Sequence, residues 1–196
     1  MPRTASYDRD DLIDRAQALF WRKGWSGTSM KDLEAELNLR PGSFYAAFGS
    51  KEALYALALD RYATRGTERL ARLAKTHDPL DALKAHLRAV VSDPDAGARA
   101  CMLAKTVLEL GRADGGTAEA LVKRASDHLA RAEDAFAGLF AAARDAGRIA
   151  SHHDPARLAR RFQSDLLGLR VSAERPSVDA PALAEEIAGD LDALAK

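Results

Sequence analysis

The stretch that decides the fold covers residues 24–55 and reads GWSGTSMKDLEAELNLRPGSFYAAFGSKEALY. Its apolar residues recur at helical spacing, and polar residues that cap helices interrupt them. Ser29 is suited to cap one short helix, with Asp32 at the capping-box position, and Asn38 is suited to the left-handed turn that follows. The stretch therefore predicts two short helices joined by a tight turn, which is the shape of a helix-turn-helix.

The second of these helices, expected over residues 41–47, has the composition of a helix that lies in a DNA groove. Pro41 suits its first position, and Phe44 and Phe48 are spaced to anchor its inner face. Its remaining residues are small or polar, so its backbone can approach the bases closely. Directly behind it, Ser50 is the expected cap of a further helix.

Several side chains around this helix can contact DNA. Arg40 can reach a guanine edge or a phosphate, and Ser43 and Tyr45 can donate hydrogen bonds to phosphates or base edges. Helix N-termini also attract phosphates through their free N–H groups. The candidate DNA contacts are Thr28, Ser29, Arg40, Pro41, Gly42, Ser43, Tyr45 and Lys51. Each cap taken alone could serve only the fold, and it is the combination that favours DNA binding.

Composition indicates that the rest of the chain is helical as well. Alanine is abundant, β-branched residues are few, and no stretch of the 196 residues alternates with period two. We expect an all-α protein of about nine helices, with a three-helix head in residues 1–65 and a larger body in residues 66–196. The formal net charge of zero is low for a DNA-binding protein, so specific binding would need a dimer, which doubles the phosphate contacts.

Other functional classes have little support in the sequence. No apolar run approaches the length of a membrane span, and the N-terminus lacks the apolar core of a secretory signal, which makes a cytoplasmic location the default. The single cysteine, Cys101, excludes an internal disulfide. His152, His153 and Asp154 are adjacent, but no matching cluster of His and Cys accompanies them, so we expect no metal. No catalytic pattern and no cofactor motif stands out.

Residues 7–60 resemble the N-terminal domain of the tetracycline-repressor (TetR) family. Members of that family are homodimeric, all-helical, ligand-responsive transcription factors, usually repressors. The residues that carry the resemblance are AQALF at 16–20, Gly24, Trp25, TSM at 28–30, Leu33 and GSFYAAFGSKEAL at 42–54.

The resemblance implies roles for the candidate residues. Tyr45 and Lys51 would contact phosphates with assistance from Thr28, and residues 40–43 would face the bases. In the body, helices four to seven would enclose an inducer pocket, and helices eight and nine would form a four-helix dimer interface.

The head departs from the family pattern at two positions. Pro41 stands where the family often has Lys, and Ala46 stands where it often has His or Tyr. Both changes remove a polar contact, so we expect weaker DNA binding or fewer bases read.

The sequence supports a dimer interface independently of the resemblance. Ser164, Gly168 and Ser172 lie four residues apart on the eighth helix, and a row of small residues permits close approach of helices. Phe162 flanks this row and could supply buried area. The alternative is that these residues pack within one subunit.

Residues of a ligand pocket are harder to identify. The candidates combine apolar walls with a few polar groups, and they are Cys101, Met102, Thr106, Glu109, His128, Phe136 and Phe140. Each could instead belong to the plain core or the surface. Cys101 follows Arg99 and resembles a Gly-Cys-Leu element found in part of the family, some of whose members sense electrophiles or oxidants. Its thiol is therefore a second candidate sensor, and otherwise it is a small buried hydrophobe.

These features together predict a homodimeric transcriptional repressor that binds a pseudo-palindromic operator and is released by a small-molecule inducer. Two other functions stay open. One is a repressor that senses electrophiles or oxidants through Cys101, and the other is an all-helical enzyme or carrier with a vestigial head. Binding to duplex DNA separates the last of these from the regulators.

Overall fold

The computed structural model describes residues 8–92, 100–112 and 116–195, and every regular element in those ranges is helical, which confirms the all-α prediction. A short 3-10 turn, Ala193–Ala195, ends the described chain. In chain order the α-helices are α1 (Arg9–Lys23), α2 (Met30–Leu37), α3 (Pro41–Phe48), α4 (Lys51–Thr76), α5 (Pro79–Ser92), α6 (Met102–Leu110), α7 (Gly116–Asp145), α8 (Pro155–Ser172) and α9 (Ala180–Asp192).

The caps of the head helices are those that the sequence predicts. Ser29 accepts a hydrogen bond from the Asp32 N–H, and the Asp32 side chain accepts one from the Ser29 N–H, which completes the capping box of α2. Asn38 ends that helix with φ 52° and ψ 44°, in the left-handed region. Pro41 is the first residue of α3, and Ser50 caps α4.

The structure describes Cys101 and the helix that follows it, but not residues 93–99 before it. Cys101 is the N-cap residue of α6 and is buried. Arg99 lies outside the described residues, so its expected position beside the thiol stays a prediction.

The helices bury two apolar clusters. The first joins the head to α4, α6 and the first half of α7, and it includes Phe44 of the head and Met102 of α6. The second lies among α5, α7, α8 and α9, with Phe140 near its centre. Because the first cluster takes residues from both sides of the expected boundary at residue 65, the head and the body share a core.

Phe162 belongs to the second cluster and not to an outer face. Its side chain is 2% exposed, and its ring centroid lies 4.8 Å from that of Phe136 and 5.9 Å from that of Phe140. The predicted dimer contact through Phe162 is therefore wrong, because the side chain has its packing partners inside its own subunit.

Replacement of Phe162 by Ala is expected to lower the free energy of unfolding by about 3–5 kcal/mol, because a buried aromatic side chain is lost. Urea titrations at a single protein concentration would measure the loss, and light scattering would follow the oligomeric state. A negligible loss of stability together with dissociation into monomers would contradict the packing role.

Candidate nucleic-acid interface and ligand cavity

The outer face of α3 is exposed and made of small residues. Phe44 and Phe48 are buried, as their spacing predicts, and they hold the inner face of the helix in the first cluster. Gly42 and Ala46 are exposed on the other side. Tyr45 is 53% exposed, and its ring lies edge-to-face against that of Phe44 with 5.5 Å between centroids. The exposed face of α3 thus consists of small residues, apart from the projecting phenol of Tyr45.

The start of α3 is open as well. Arg40 is the exposed N-cap residue, and its side chain makes no hydrogen bond to the helix end. Pro41 is exposed and Ser43 is half-buried. A guanidinium and a hydroxyl in these positions can turn toward a duplex that approaches α3.

The start of α2 is less open than the sequence predicts. The Thr28 side chain is buried, and its hydroxyl donates a hydrogen bond to the Gly24 carbonyl at 2.7 Å. The Ser29 hydroxyl donates to Asp32 at 2.6 Å, and hydrogen bonds from Lys23 and then from Ser29 hold the pKa of that carboxyl well below its ordinary value. The predicted assistance of Thr28 in phosphate binding is wrong, because its hydroxyl is already used inside the head.

Lys51 ties the start of α4 to the turn between α1 and α2. Its ammonium donates a hydrogen bond to the Trp25 carbonyl at 2.8 Å and lies 4.0 Å from the centroid of the Trp25 ring. Partial burial lowers the pKa of this lysine. Since an ammonium has three donors, two remain for a phosphate, and the phosphate contact of Lys51 stays a prediction.

Glu109 connects the body to the same turn and does not face a pocket. Its carboxylate accepts hydrogen bonds from the N–H groups of Trp25 at 2.8 Å and Ser26 at 3.2 Å. Gly24 permits this approach, because its φ is 75° and a Cβ there would collide with the carboxylate. The prediction that Glu109 lines a pocket is wrong, and the residue instead couples α6 to the head.

Three further pocket candidates lie in filled parts of the core. Thr106 is fully buried, and its hydroxyl lies 2.7 Å from that of Tyr55. Met102 packs in the first cluster and Phe140 in the second. Helical periodicity places these residues inside, but it does not say whether the inside is filled or hollow, and the prediction that they line a pocket is wrong.

A cavity of about 550 Å³ lies between α1 and the helices α4 to α8. Three of the seven pocket candidates, Cys101, His128 and Phe136, line it, and their contact with a ligand stays a prediction. His128 is also paired, since its Nε2 lies 2.7 Å from an Asp60 oxygen.

Arginines line this cavity, although none was among the pocket candidates. Three of them are Arg65, Arg69 and Arg72, which lie at i, i+4 and i+7 on α4. That spacing puts them on one face of the helix, and it was the available signal for a basic cavity wall.

The first helix of the head forms another wall of the cavity. Gln17, Trp21 and Arg22 line it. The Trp21 Nε1–H donates to the Ala100 carbonyl at 2.6 Å, and the Lys105 ammonium donates to the Trp21 carbonyl at 2.9 Å. A molecule in the cavity would therefore touch the helix that supports α2 and α3.

Known proteins share both the head sequence and the architecture of this chain. Residues 12–58 match the family described as bacterial regulatory proteins, tetR family. The chain superposes over 98% of its length, with a TM-score of 0.83 and 28% identity, on 99% of the TetR family transcriptional regulator CifR, solved as a cysteine mutant complexed with 26 bp double-strand operator DNA. The chain belongs to the TetR family.

The similarity of this TetR-family chain to curated relatives is partial. The HTH-type transcriptional repressor ComR of Escherichia coli (strain K12) is 40% identical over 63 residues, which are 32% of this chain and 30% of the relative. The IcaR negative transcriptional regulator of the biofilm operon icaADBC in Staphylococcus aureus (strain Newman) is 38% identical over 47 residues, or 24% of this chain and 25% of the relative. The chain matches these relatives over about a third of their length or less. Reduced NemR of E. coli has a TM-score of 0.80 at 18% identity, over 95% of this chain and 96% of NemR, and shares the fold.

The row of small residues in this TetR-family chain lies on the outer face of α8. Ser164 and Gly168 are exposed, and Ser172 is half-buried. Nothing lies within 4 Å of a Cβ built on Gly168, and the neighbouring Val171 is 58% exposed. The face is open in the single subunit, and its contact with a second copy stays a prediction.

In the described ranges of the TetR-family chain, no three side chains of His, Cys, Asp or Glu come together in a way that could hold a metal ion. The rings of His152 and His153 lie 4.2 Å apart, and Asp154 caps α8. None of the helices in those ranges combines the length and the apolar character needed to cross a membrane.

The cavity also contains a buried histidine that no sequence pattern indicated. His86 lies on α5, lines the cavity and is 5% exposed. Its burial, followed by the nearby charges of Arg69 and Arg170, lowers the pKa of its imidazole to about 3. His86 is therefore neutral in the folded TetR-family chain near pH 7.

Stability is expected to fall as the pH falls from about 6.5 to about 4.5, because of His86. In the unfolded chain the imidazole takes up a proton near its ordinary pKa of 6.5, whereas the folded chain binds it only near pH 3. Because the unfolded state binds more protons in this window, acid favours unfolding by up to about 1.4 kcal/mol per pH unit. Urea midpoints of the parent chain and of His86→Gln would measure the effect, and equal slopes in both would assign it to other groups.

Proposed function

We propose that this chain is a ligand-responsive, DNA-binding transcriptional regulator that represses its target as a homodimer. The observation that carries the proposal is the exposed small-residue face of α3, held in place by the buried rings of Phe44 and Phe48. The relatives support it, because ComR is named a repressor, IcaR a negative regulator, and CifR was solved with operator DNA. In this proposal residues 1–65 bind DNA, and residues 66–196 bind the ligand and the second subunit.

Each head would place α3 in a major groove. Residues 40–43 would face the base edges, with the Arg40 guanidinium as the strongest donor. Tyr45 and Lys51 would hold phosphates on either side, and the start of α2 at Ser29 would lie beside the DNA backbone. Phosphate contacts set the position of the head, and the contacts of residues 40–43 set its sequence preference.

The dimer would be formed by α8 and α9. The outer face of α8, with Ser164, Gly168 and Ser172, is small enough for a close helix contact. Two heads joined in this way would reach successive major grooves about 34–36 Å apart, which requires a pseudo-palindromic operator. Pairing also doubles the phosphate contacts of a chain whose net charge is zero.

The ligand would act through the shared cavity wall. A molecule between α1 and α4 would move the helix that carries Trp21, and the hydrogen bonds of Trp21 and Glu109 would pass that movement between head and body. Such coupling is typically about 1–3 kcal/mol, and it is reciprocal, so operator DNA would weaken ligand binding by the same factor.

A thiol-based response is the second candidate. Cys101 lines the same cavity as Tyr62, so that modification of the sulfur would change the cavity wall directly. Release of the operator by an oxidant in the parent chain, and its persistence in Cys101→Ser, would refute the thiol-based response.

The proposal includes a cytoplasmic location and no catalytic role. Selection of bound duplexes from a random pool, followed by fluorescence anisotropy at several salt concentrations, tests it against an enzyme or carrier with a vestigial head. A pseudo-palindromic site is expected, with an affinity that falls linearly on a logarithmic salt scale. Equal affinity for all duplexes, or no binding, would contradict the proposal.

A further inference from the structure

The chemistry of the cavity wall indicates the kind of molecule that the regulator senses, an inference that rests on the proposed function. We propose that the cavity binds a small molecule with a carboxylate at one end and an apolar body, and that Arg69, His86 and Arg170 receive the carboxylate.

The charged side chains that line the cavity are basic in the part of the chain that the structure describes. Within that part no lining residue is Asp or Glu, whereas five are arginines, namely Arg22, Arg65, Arg69, Arg72 and Arg170. Arg65 is paired with Asp14, whose carboxylate lies 2.7 Å from its guanidinium, and Arg22 is paired with Glu36 at 3.4 Å. Arg170 is only 8% exposed and Arg69 is half-buried. A positive charge acts more strongly on an anion in such a partly buried place than in water.

Two polar atoms of the wall lack a hydrogen-bond partner among the described residues. They are Nδ1 of His86 and Oε1 of Gln163, and both are buried. Buried polar groups are almost always paired, so a bound molecule fits here as the missing partner. A carboxylate oxygen can accept a hydrogen bond from a His86 N–H, and a hydroxyl or N–H of the same molecule can donate to Gln163.

Arg69 and Arg170 act at the position of the unpaired histidine. All three side chains line the same cavity. Burial is the larger cause of the low pKa of His86, and the charges of Arg69 and Arg170 lower that pKa further. The positive charge of the two guanidinium groups favours an anion beside the imidazole.

Much of the rest of the wall is apolar. Its residues include Val90, Leu103, Leu129, Ala132, Phe136 and Leu166. The volume of about 550 Å³ lies within the usual range of small-molecule sites. A free inorganic anion would leave the apolar part unfilled, and a purely apolar molecule would leave the buried polar atoms of His86 and Gln163 without a hydrogen-bond partner. A ligand with both an anionic group and an apolar body would contact both parts of the cavity wall.

Gly66 offers a way to close the cavity without disturbing the core. It lines the cavity from α4, next to Arg65, and nothing lies within 4 Å of a Cβ built on it. A larger side chain at this position would enter the cavity. The same change removes a glycine from a helix interior, which favours the helix.

Isothermal titration calorimetry on the full chain tests the requirement for charge. The probes are 4-phenylbutyrate and decanoate, each compared with its uncharged primary amide, and inorganic phosphate serves as an anion without an apolar body. We expect a carboxylate to bind at least about tenfold more tightly than its amide, and more tightly than phosphate. Equal affinity of a carboxylate and its amide, or no carboxylate binding at millimolar concentration, would overturn the inference.

Matched variants locate the site. Arg69→Gln is expected to weaken carboxylate binding at least about tenfold. Lys75→Gln removes one positive charge from an exposed turn of the same helix, outside the cavity, and should leave the affinity unchanged. Gly66→Leu keeps every charge and should abolish binding, with circular dichroism as the check on folding. Undiminished binding in both Arg69→Gln and Gly66→Leu would overturn the assignment of the site.

Operator binding is measured separately, so the two proposals can fail independently. Carboxylate binding without any affinity for duplex DNA would contradict the regulator and leave the ligand class standing. Specific DNA binding together with failure of the charged probes would contradict the ligand class alone.

Discussion

Replacement of Ala46 by Glu is expected to weaken operator binding by about 100-fold or more, because a carboxylate would be pressed against the DNA phosphates. Ala46 is exposed on α3 and lies one turn after Gly42 on the face that would enter the groove. The longer side chain would also prevent the close backbone approach that the small residues permit. Phe44 and Phe48, which hold the helix in the core, are untouched by the change.

Fluorescence anisotropy at about 0.15 M salt measures this loss, since affinity for DNA has meaning only at a stated ionic strength. The matched control is Ala74→Glu, which makes the same change in charge at an exposed turn of α4. A similar loss in both variants would show a general charge effect. Unchanged operator affinity in Ala46→Glu would show that α3 does not contact the DNA.

Replacement of Gly168 by Arg is expected to raise the dissociation constant of the dimer by about 100-fold or more. Gly168 is exposed on α8, and space is open around its missing Cβ, so the single subunit accommodates the new side chain. In a close contact between helices, however, the guanidinium would be buried without a partner, which costs several kcal/mol. Loss of the dimer should also weaken operator binding, because a single head makes half the phosphate contacts.

Analytical ultracentrifugation over a range of concentrations measures the dissociation constant. Gly138→Arg is the matched control, because Gly138 is also an exposed helical glycine with open space around it, on α7. An unchanged dissociation constant in Gly168→Arg would show that the outer face of α8 does not form the subunit contact.

The parts of the head that sequence reasoning predicted correctly depend on neighbours in the chain. The capping box of Ser29 and Asp32 spans three residues, and the left-handed turn at Asn38 follows from the residue type. Phe44 and Phe48 are one helical turn apart, so their shared burial also follows from local geometry. Rules of this kind use only residues that are close in the chain.

Thr28 could have pointed at a phosphate, but the Gly24 carbonyl, four residues earlier, takes its hydroxyl. The other failures come from competition for partners distant in the chain. Glu109 could have faced a ligand, but the N–H groups of Trp25 and Ser26, more than eighty residues earlier, take its carboxylate. Phe162 could have covered a partner subunit, but α7 lies on that side of α8.

The sequence by itself determined the helices, their caps and the small-residue face of α3, because hydrogen bonds and periodicity over a few residues decide them. Only the tertiary structure decided where the interior is hollow and which charges line the hollow. Arg69 on α4, His86 on α5 and Arg170 on α8 come together only when three helices pack, and no local spacing in the chain relates them. A cavity is space that side chains from separate helices fail to fill, so it exists only after they have packed.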